Sequence, residues 1–380
     1  MTPSADAPYD ALIIGSGPIC MMEALFRQLS GERVVVVDKG ADPGGVWGSR
    51  RLFGVPHVEQ FCHILTLHRD GYRAMQHFFP GQLTPLAHEP QYGLFSNDGR
   101  DVEHLFGFRS LSWHLMKRGR VSWRKSVILK PAIQLGDWMW RRIFGFRHIY
   151  PAHGFAALFD QILDRARDAG VEILTDTNVQ DLVFSAPRAP VQARVQSGSD
   201  EWTITAKTAV LPTRAVLPKV TLGEDSYPHT QARDLLSFGQ VILHLKSDAA
   251  SRYSYLNYAN HYLLRRVHNI SAELQRAGHL PEDEEIHIVN LHQDVKGVEQ
   301  IDPEIVLHEL QKIGVVPQNA QILNISRNLR QLPVPDKEQL RRVRRFAKRS
   351  VHVLWTRDLS RAFATHKDRW SDQISPFDPR

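Results

Sequence analysis

A glycine turn near the start sets the tightest constraint on this chain. Asp10 to Ile14 is a short apolar run, of a length that suits a buried strand. Gly15-Ser-Gly17 breaks it. Pro18 to Gln28 then carries Met21, Met22, Leu25 and Phe26 at helical spacing. Val34 to Val37 is a second apolar run, followed by Asp38 and Lys39. Strand, glycine turn, helix, strand and acid in that order make a βαβ unit that holds a dinucleotide. Gly15 and Gly17 let backbone N–H groups approach a pyrophosphate at the N-terminus of the helix opened by Pro18. Asp38 then takes ribose hydroxyls. Cys20 stands where the pattern has its third glycine, and it is small enough for a close helix–strand contact.

The 380 residues can bury a large core, and the length suggests two or three domains. No run reaches the ~20 apolar residues of a membrane span. The first residues lack the basic and apolar regions of a secretion signal. With only two cysteines, Cys20 and Cys62, there is no disulfide framework and no cysteine-based metal site. Both cysteines read as packing residues, and the expected compartment is cytoplasmic. The net charge is +6, with basic clusters at Arg141-Arg142 and from Arg341 to Arg349. Such a cluster can be a solvated helix face, a grip for an anionic substrate, or a peripheral contact with an anionic membrane. No nucleic-acid module is evident, so no nucleic-acid partner is expected. The sequence sets no oligomeric state.

After Asp38 the chain runs Gly44-Gly45-Val46-Trp47, where paired glycines let the backbone pass close to a flat ligand and Trp47 could stack near it. Phe53 to Leu67 mixes apolar and titratable residues, among them His57, Glu59 and His63. Arg69 to Gln76 turns helical, Gly93 to Leu105 reads as loop and short strand, and Leu111 to Phe146 is aromatic and basic. The stretch as a whole reads as a largely helical insertion whose aromatics belong to a core. Ala156 to Asp168 is an amphipathic helix stopped by Gly170. Two alternating strands, around Val191–Gln196 and Trp202–Ala206, lead into the buried strand Thr208 to Pro212 and the turn at Thr213. Gln240–Leu245, Ser254–Tyr258, His261–Val267 and Ile286–Leu291 read as a second sheet, and Val351–Trp355 as a late strand.

This order of elements resembles the FAD-dependent superfamily of flavin amine oxidases, protoporphyrinogen oxidase and UDP-galactopyranose mutase. Gly15-Ser-Gly17, Asp38 and Gly44-Gly45-Val46-Trp47 are similar to its first nucleotide motif and to the paired-glycine loop beside the flavin. His63-Ile-Leu-Thr resembles the mutase-type stretch near the isoalloxazine. Val179 falls where the family's backbone contacts adenine, and Val191 to Thr213 is similar to its meander and return strand. Asn257 to Asn269, with Arg266, is similar to a substrate-domain stretch ending in an arginine. The C-terminal motif reads Lys348-Arg349…Trp355-Thr-Arg357-Asp358-Leu359 here, without the family's usual glycine.

The resemblance implies FAD as cofactor and an α/β fold. It implies a Rossmann-type FAD domain, with a central parallel sheet and a β-meander, made of residues 1–68, 148–217 and 339–380. Residues 69–147 would be the helical insertion and 218–338 a mixed-sheet substrate domain. Asp358 and Leu359 would open the last helix against the flavin. The expected activity is oxidation of a small molecule by hydride transfer to flavin N5, with anionic molecules among the candidate substrates. A mutase-like non-redox reaction on a nucleotide sugar and a non-catalytic FAD-binding partner protein are the alternatives. His63 reads either as a group beside the flavin or as a core histidine. Arg266 and Arg349 read either as grips for a carboxylate or phosphate or as surface arginines. Glu59 reads as a solvated loop acid, with orientation of His63 as its other role.

Overall fold

The structure, a computed structural model, describes residues 8–47, 49–59, 63–67, 69–85, 91–95, 102–106, 135, 139, 143, 147–212, 218–227, 235–251, 253–258, 261–292, 297, 300–333 and 337–354. In chain order the first elements are β1 (Tyr9–Ile14), α1 (Pro18–Leu29) and β2 (Val34–Val37). Then come β3 (Ser49–Leu52), β4 (Val55–Glu59), β5 (Leu65–Leu67), α2 (Arg69–Phe78), β6 (Leu83–Pro85), β7 (Gln91–Phe95), β8 (Val102–Phe106) and β9 (Arg147–Pro151). Helix α3 (Gly154–Asp168) leads into β10 (Glu172–Leu174), β11 (Asn178–Phe184), β12 (Val191–Ser197), β13 (Asp200–Pro212), β14 (Lys219–Leu222) and β15 (Asp225–Tyr227). The last third holds β16 (Leu235–Lys246), β17 (Tyr255–Tyr258), β18 (Leu264–Asn269), α4 (Ser271–Arg276), β19 (Glu284–Leu291), α5 (Pro303–Lys312), β20 (Gln321–Pro333), α6 (Lys337–Ala347) and β21 (Val351–Leu354).

The chain divides into two compact units. One is Met1–Gly48 with Ala156–Leu236 and Leu332–Arg380; the other is Ser49–Phe155 with Ser237–Gln331. The first unit is built on a sheet ordered β10-β2-β1-β13-β12-β11-β14-β15, with β21 also on β13. Five of its strands run parallel in the order β10, β2, β1, β13, β21. The apolar runs of β1 and β2 are buried without alternation, as strands covered on both faces must be, while β10 at the sheet edge is half-buried. Strand β13 joins this sheet to the meander. Its residues from Asp200 to Ala206 pair antiparallel with β12, and from Ala206 onward it pairs parallel with β1 and then β21. Helix α6 closes one side, placing Leu340, Val343 and Ala347 in a core with Leu12, Leu182, Val220 and Val351.

The second unit has a sheet ordered β20-β16-β19-β18-β17-β7-β8, with a smaller β5-β9-β6 sheet and a β3-β4 hairpin. Its core gathers Val241, Leu243, Leu256, Tyr258, Val267 and Val289 with Val306 and Leu310 of α5. Asp302 caps α5 through a hydrogen bond accepted from Glu304 N at 3.0 Å.

Two features differ from the reading of the sequence. The division by contacts puts residues 49–68 and 148–155 in the second unit, and 218–236 and 332–338 in the first. The insertion is not largely helical where it is described: after α2, Gln91–Phe95 and Val102–Phe106 pair with one another, and Gln91–Gly93 extends the second sheet beside β17. Those two segments carry Tyr, Phe, Val and Leu, residues that favour strands once a sheet edge accepts their backbone. The rest of Leu111 to Phe146 lies outside the described residues, save Leu135, Met139 and Ile143. The fold is therefore mixed α/β, with parallel and antiparallel pairing in one sheet.

Candidate cofactor site

The loops that follow β1 and β2 lie at the carboxyl ends of parallel strands, where open α/β sheets take ligands. Gly15 has φ +89°, a left-handed conformation, and its N–H donates to Val37 O at 2.8 Å. Gly17 is the N-cap of α1, with no side-chain cap and no acid in the first turn. The positive end of that helix is thus left to an outside anion. Pro18 is buried at the first helical position, where its missing N–H costs nothing. A Cβ built on Gly15 or Gly17 would meet no atom within 4 Å, so the turn faces open space.

The paired glycines come in against this turn. Gly44 and Gly45 have φ +128° and +55°, and a Cβ on Gly45 would lie 3.4 Å from Gly17 Cα. Ser16 links the three segments. Its Oγ donates to Asp38 Oδ2 at 2.5 Å, its N–H to the same oxygen at 2.6 Å, and Gly44 N–H donates to the hydroxyl at 3.3 Å. Asp38 Oδ1 accepts from Gly40 N–H at 2.8 Å. Three of the roughly four acceptor positions of a carboxylate are used, which leaves about one for a ribose hydroxyl. Lys39 is exposed; Trp47 is buried in the 3₁₀ turn Gly45–Trp47, so it packs inside the fold. The side chain of Val46 lies outside the described ones, as do Thr213, Asp358 and Leu359.

Cys20 packs as its position requires. It is buried, with Sγ 3.9 Å from Ile14 O, and burial, with Glu23 and Asp38 nearby, pushes its thiol up to about 12. One feature of α1 had no signal in the apolar pattern. Glu23 is fully buried, pairs with Arg27 at 2.7 Å and lies 3.2 Å from His352 Nδ1 on β21. Arg27 also reaches Glu32 at 2.7 Å. This network ties the helix behind the glycine turn to the far strand of the parallel set. Val179 is buried on β11 opposite Val195, where the ladder shifts register before Asp181. A residue bulged there leaves backbone groups outside the regular ladder.

The diphosphate and ribose of a dinucleotide fit these residues: an uncapped helix end, open space over two glycines, and an anchored acid with acceptor capacity left.

The second unit gathers a separate set of titratable groups. Glu59, on β4, is buried and not solvated as its loop-like sequence suggests. It accepts hydrogen bonds from Tyr150 OH and, at 3.2 Å, from Phe155 N–H. Its Oε2 has no hydrogen-bond partner among the described residues. Burial pushes this carboxyl up to about 8, against those two hydrogen bonds, and the nearby Glu273 adds to the rise. The mixed apolar and titratable pattern of Phe53 to Leu67 hid it, because an acid in such a stretch reads as a solvated loop position.

His268, on β18, was not singled out by the sequence either. It is fully buried, with Tyr255 and Tyr150 edge-on at 5.2 and 5.6 Å between ring centres. Neither of its ring nitrogens is hydrogen-bonded among the described residues. Burial, helped by His63, Arg266 and His287, pushes it down to about 3, so it is neutral at ordinary pH. His63 is half-buried with its ring 5.6 Å from that of Phe155. Arg266 is half-buried, donates to Asn257 Oδ1 at 3.0 Å and lies over the Tyr255 ring at 5.7 Å. The structure therefore brings His63 and Arg266 to one neighbourhood around His268. Arg349 belongs to the other unit and is exposed in the 3₁₀ turn Lys348–Ser350.

No protein-family model matches the sequence. No curated protein matches it either. Solved structures do share its architecture. An oxidoreductase from Methanosarcina mazei is 12% identical with a TM-score of 0.56, over 92% of this chain and 94% of its own. A putrescine oxidase bound to putrescine is 11% identical with a TM-score of 0.57, over 97% of this chain and 99% of its own. A protein assigned as a protoporphyrinogen oxidase, from Exiguobacterium sp., is 12% identical with a TM-score of 0.56 over the same shares. By this likeness the chain has the fold shared by these oxidoreductases.

Proposed function

We propose that this chain is an FAD-dependent oxidoreductase of the amine-oxidase or protoporphyrinogen-oxidase type. The observation that carries the reading is the open, uncapped turn at Gly15 and Gly17, backed by Gly45. The fold shared with a putrescine oxidase and with other oxidoreductases supports the same choice. The unit that contains α1 holds the dinucleotide, and the unit that contains β16–β20 shapes the substrate site.

Each residue has a bounded task. The N-terminus of α1 and the Gly15–Gly17 backbone hold the diphosphate. Asp38, fixed by Ser16 and Gly40, accepts a ribose hydroxyl. His63 is the candidate group beside the flavin, where an imidazole can donate to the ring or move a proton. Arg266, held by Asn257, grips an anionic group of the substrate. The bound flavin supplies the hydride acceptor, at its N5 position.

Purification, an absorbance spectrum and mass analysis of the released cofactor test the reading. The expected result is a yellow protein that releases FAD. A colourless protein that takes up no FAD would overturn it. Oxygen or dye reduction with a panel of amines and cyclic alkenes then identifies the substrate class. Turnover of a nucleotide sugar only after reduction of the enzyme would select the mutase chemistry instead.

A further inference from the structure

Helix α6 and the 3₁₀ turn after it have two unlike faces. Leu340, Val343 and Ala347 are buried in the core of their unit. Arg341, Arg342, Arg344, Arg345, Lys348 and Arg349 are all exposed. At 100° per residue the four arginines of α6 cover an arc of about 160° on its outward side. Glu338 is the acid on this face, and it pairs with Arg342 at 3.2 Å. Arg342 also lies 5.8 Å over the ring of Tyr227. Among the described residues no carboxylate pairs with Arg341, Arg344, Arg345, Lys348 or Arg349. The turn at Gly223 reaches this helix through Phe346, at 3.6 Å from a Cβ built on the glycine. Its acids Glu224 and Asp225 form no ion pair with the face among the described residues.

Two features show that this face is held against local cost. Arg341 and Arg345 stand four apart on α6, where like charges destabilise a helix. Lys348 has φ +52°, a left-handed conformation in which glycine is at ease and lysine is strained. A glycine would end the helix with less strain and one charge fewer. Backbone strain kept for a cation points to a use for that cation.

We propose that the outward face of α6 and its 3₁₀ turn docks this protein onto an anionic lipid surface. The geometry favours a membrane over a nucleic acid. The helix lies flat against its own core along its whole inner side, so it cannot enter a major groove as a protruding helix does. Its charge is spread over a broad arc, which suits a planar surface. The face shows no exposed aromatic ring for base stacking, since Phe346 is turned to the core.

The test is co-sedimentation of the full chain with vesicles of phosphatidylcholine alone or mixed with phosphatidylglycerol. Binding is expected only to the anionic vesicles. It should vanish in high salt, as the screening length falls to roughly 3 Å at 1 M. Neutralising Arg341, Arg344 and Arg345 together to Gln should weaken partitioning roughly a hundredfold. Replacing the same three with Lys should preserve it, which separates loss of charge from loss of fold. Lys348→Gly should raise the melting temperature while weakening partitioning. Equal binding to neutral vesicles, or unchanged binding by the Gln variant, would overturn the proposal. Tight binding to a duplex oligonucleotide without binding to anionic vesicles would overturn it in favour of a nucleic-acid partner.

Discussion

Two residues at the core of the second unit set opposite limits on stability with pH. Glu59 is raised from 4.5 to about 8 on folding, so the folded state holds its proton more tightly. Its contribution is fully present below 4.5 and is lost as pH rises towards 8. His268 is lowered from 6.5 to about 3, so its contribution is present above 6.5 and is lost as pH falls towards 3. Between 4.5 and 6.5 the two slopes cancel. Chemical melts across pH should therefore show a plateau with an alkaline and an acid flank. Glu59→Gln should flatten the alkaline flank and His268→Phe the acid one; an alkaline flank unchanged in the Gln variant would refute the assignment. Gly17 offers a second test at this scale. Its φ of −60° is open to any residue, and a Cβ there meets no protein atom. Gly17→Ala should leave the melting temperature of the cofactor-free protein nearly unchanged and weaken FAD uptake tenfold or more, measured by fluorescence titration. A stable variant that binds FAD normally would place the diphosphate elsewhere.

Elements in this fold are fixed by pairings that a local pattern hides. The sequence around β13 shows two periodicities, alternating as far as Lys207 and continuously apolar from Ala209, and these read as two strands. The structure makes them one strand, because β12 covers its first half and the parallel strands its second. Helix α1 shows the same effect in side chains. Its apolar spacing was legible, yet Glu23 lies at the buried centre and is compensated by Arg27 and by His352, more than 300 residues later in the chain. Removing Glu23 takes from Arg27 its fully buried partner and leaves it Glu32. Glu23→Ala should cost about 2 kcal/mol in urea unfolding, as the loss of a hydrogen bond between charged groups does. A loss below 1 kcal/mol would mean that α1 is positioned by its apolar face alone.

At the scale of the whole molecule, a ligand that binds only the folded chain must raise its melting temperature. FAD at about a hundred times its dissociation constant should add roughly 2.7 kcal/mol. AMP, which lacks the diphosphate, should add much less if the α1 terminus is the main hold. Equal shifts for both ligands would argue against that. The glycine turn, the two buried strands, the acid and the meander were legible because each is a local pattern with its own chemical cause. Gly15 needs a positive φ, the apolar runs need a covered sheet, and Asp38 follows a strand end. The assignment of residues 49–68 and 91–106 was not legible, since the partner of a sheet edge lies far along the chain. Nor was the character of Glu59 or His268, because an acid and an imidazole look the same in sequence whether water or Tyr150 surrounds them. The sequence by itself determined a βαβ unit with a glycine turn and the strands around it. Only the tertiary structure decided which polar groups are buried and neutral, and which cations stay exposed together, because burial belongs to contacts between distant segments.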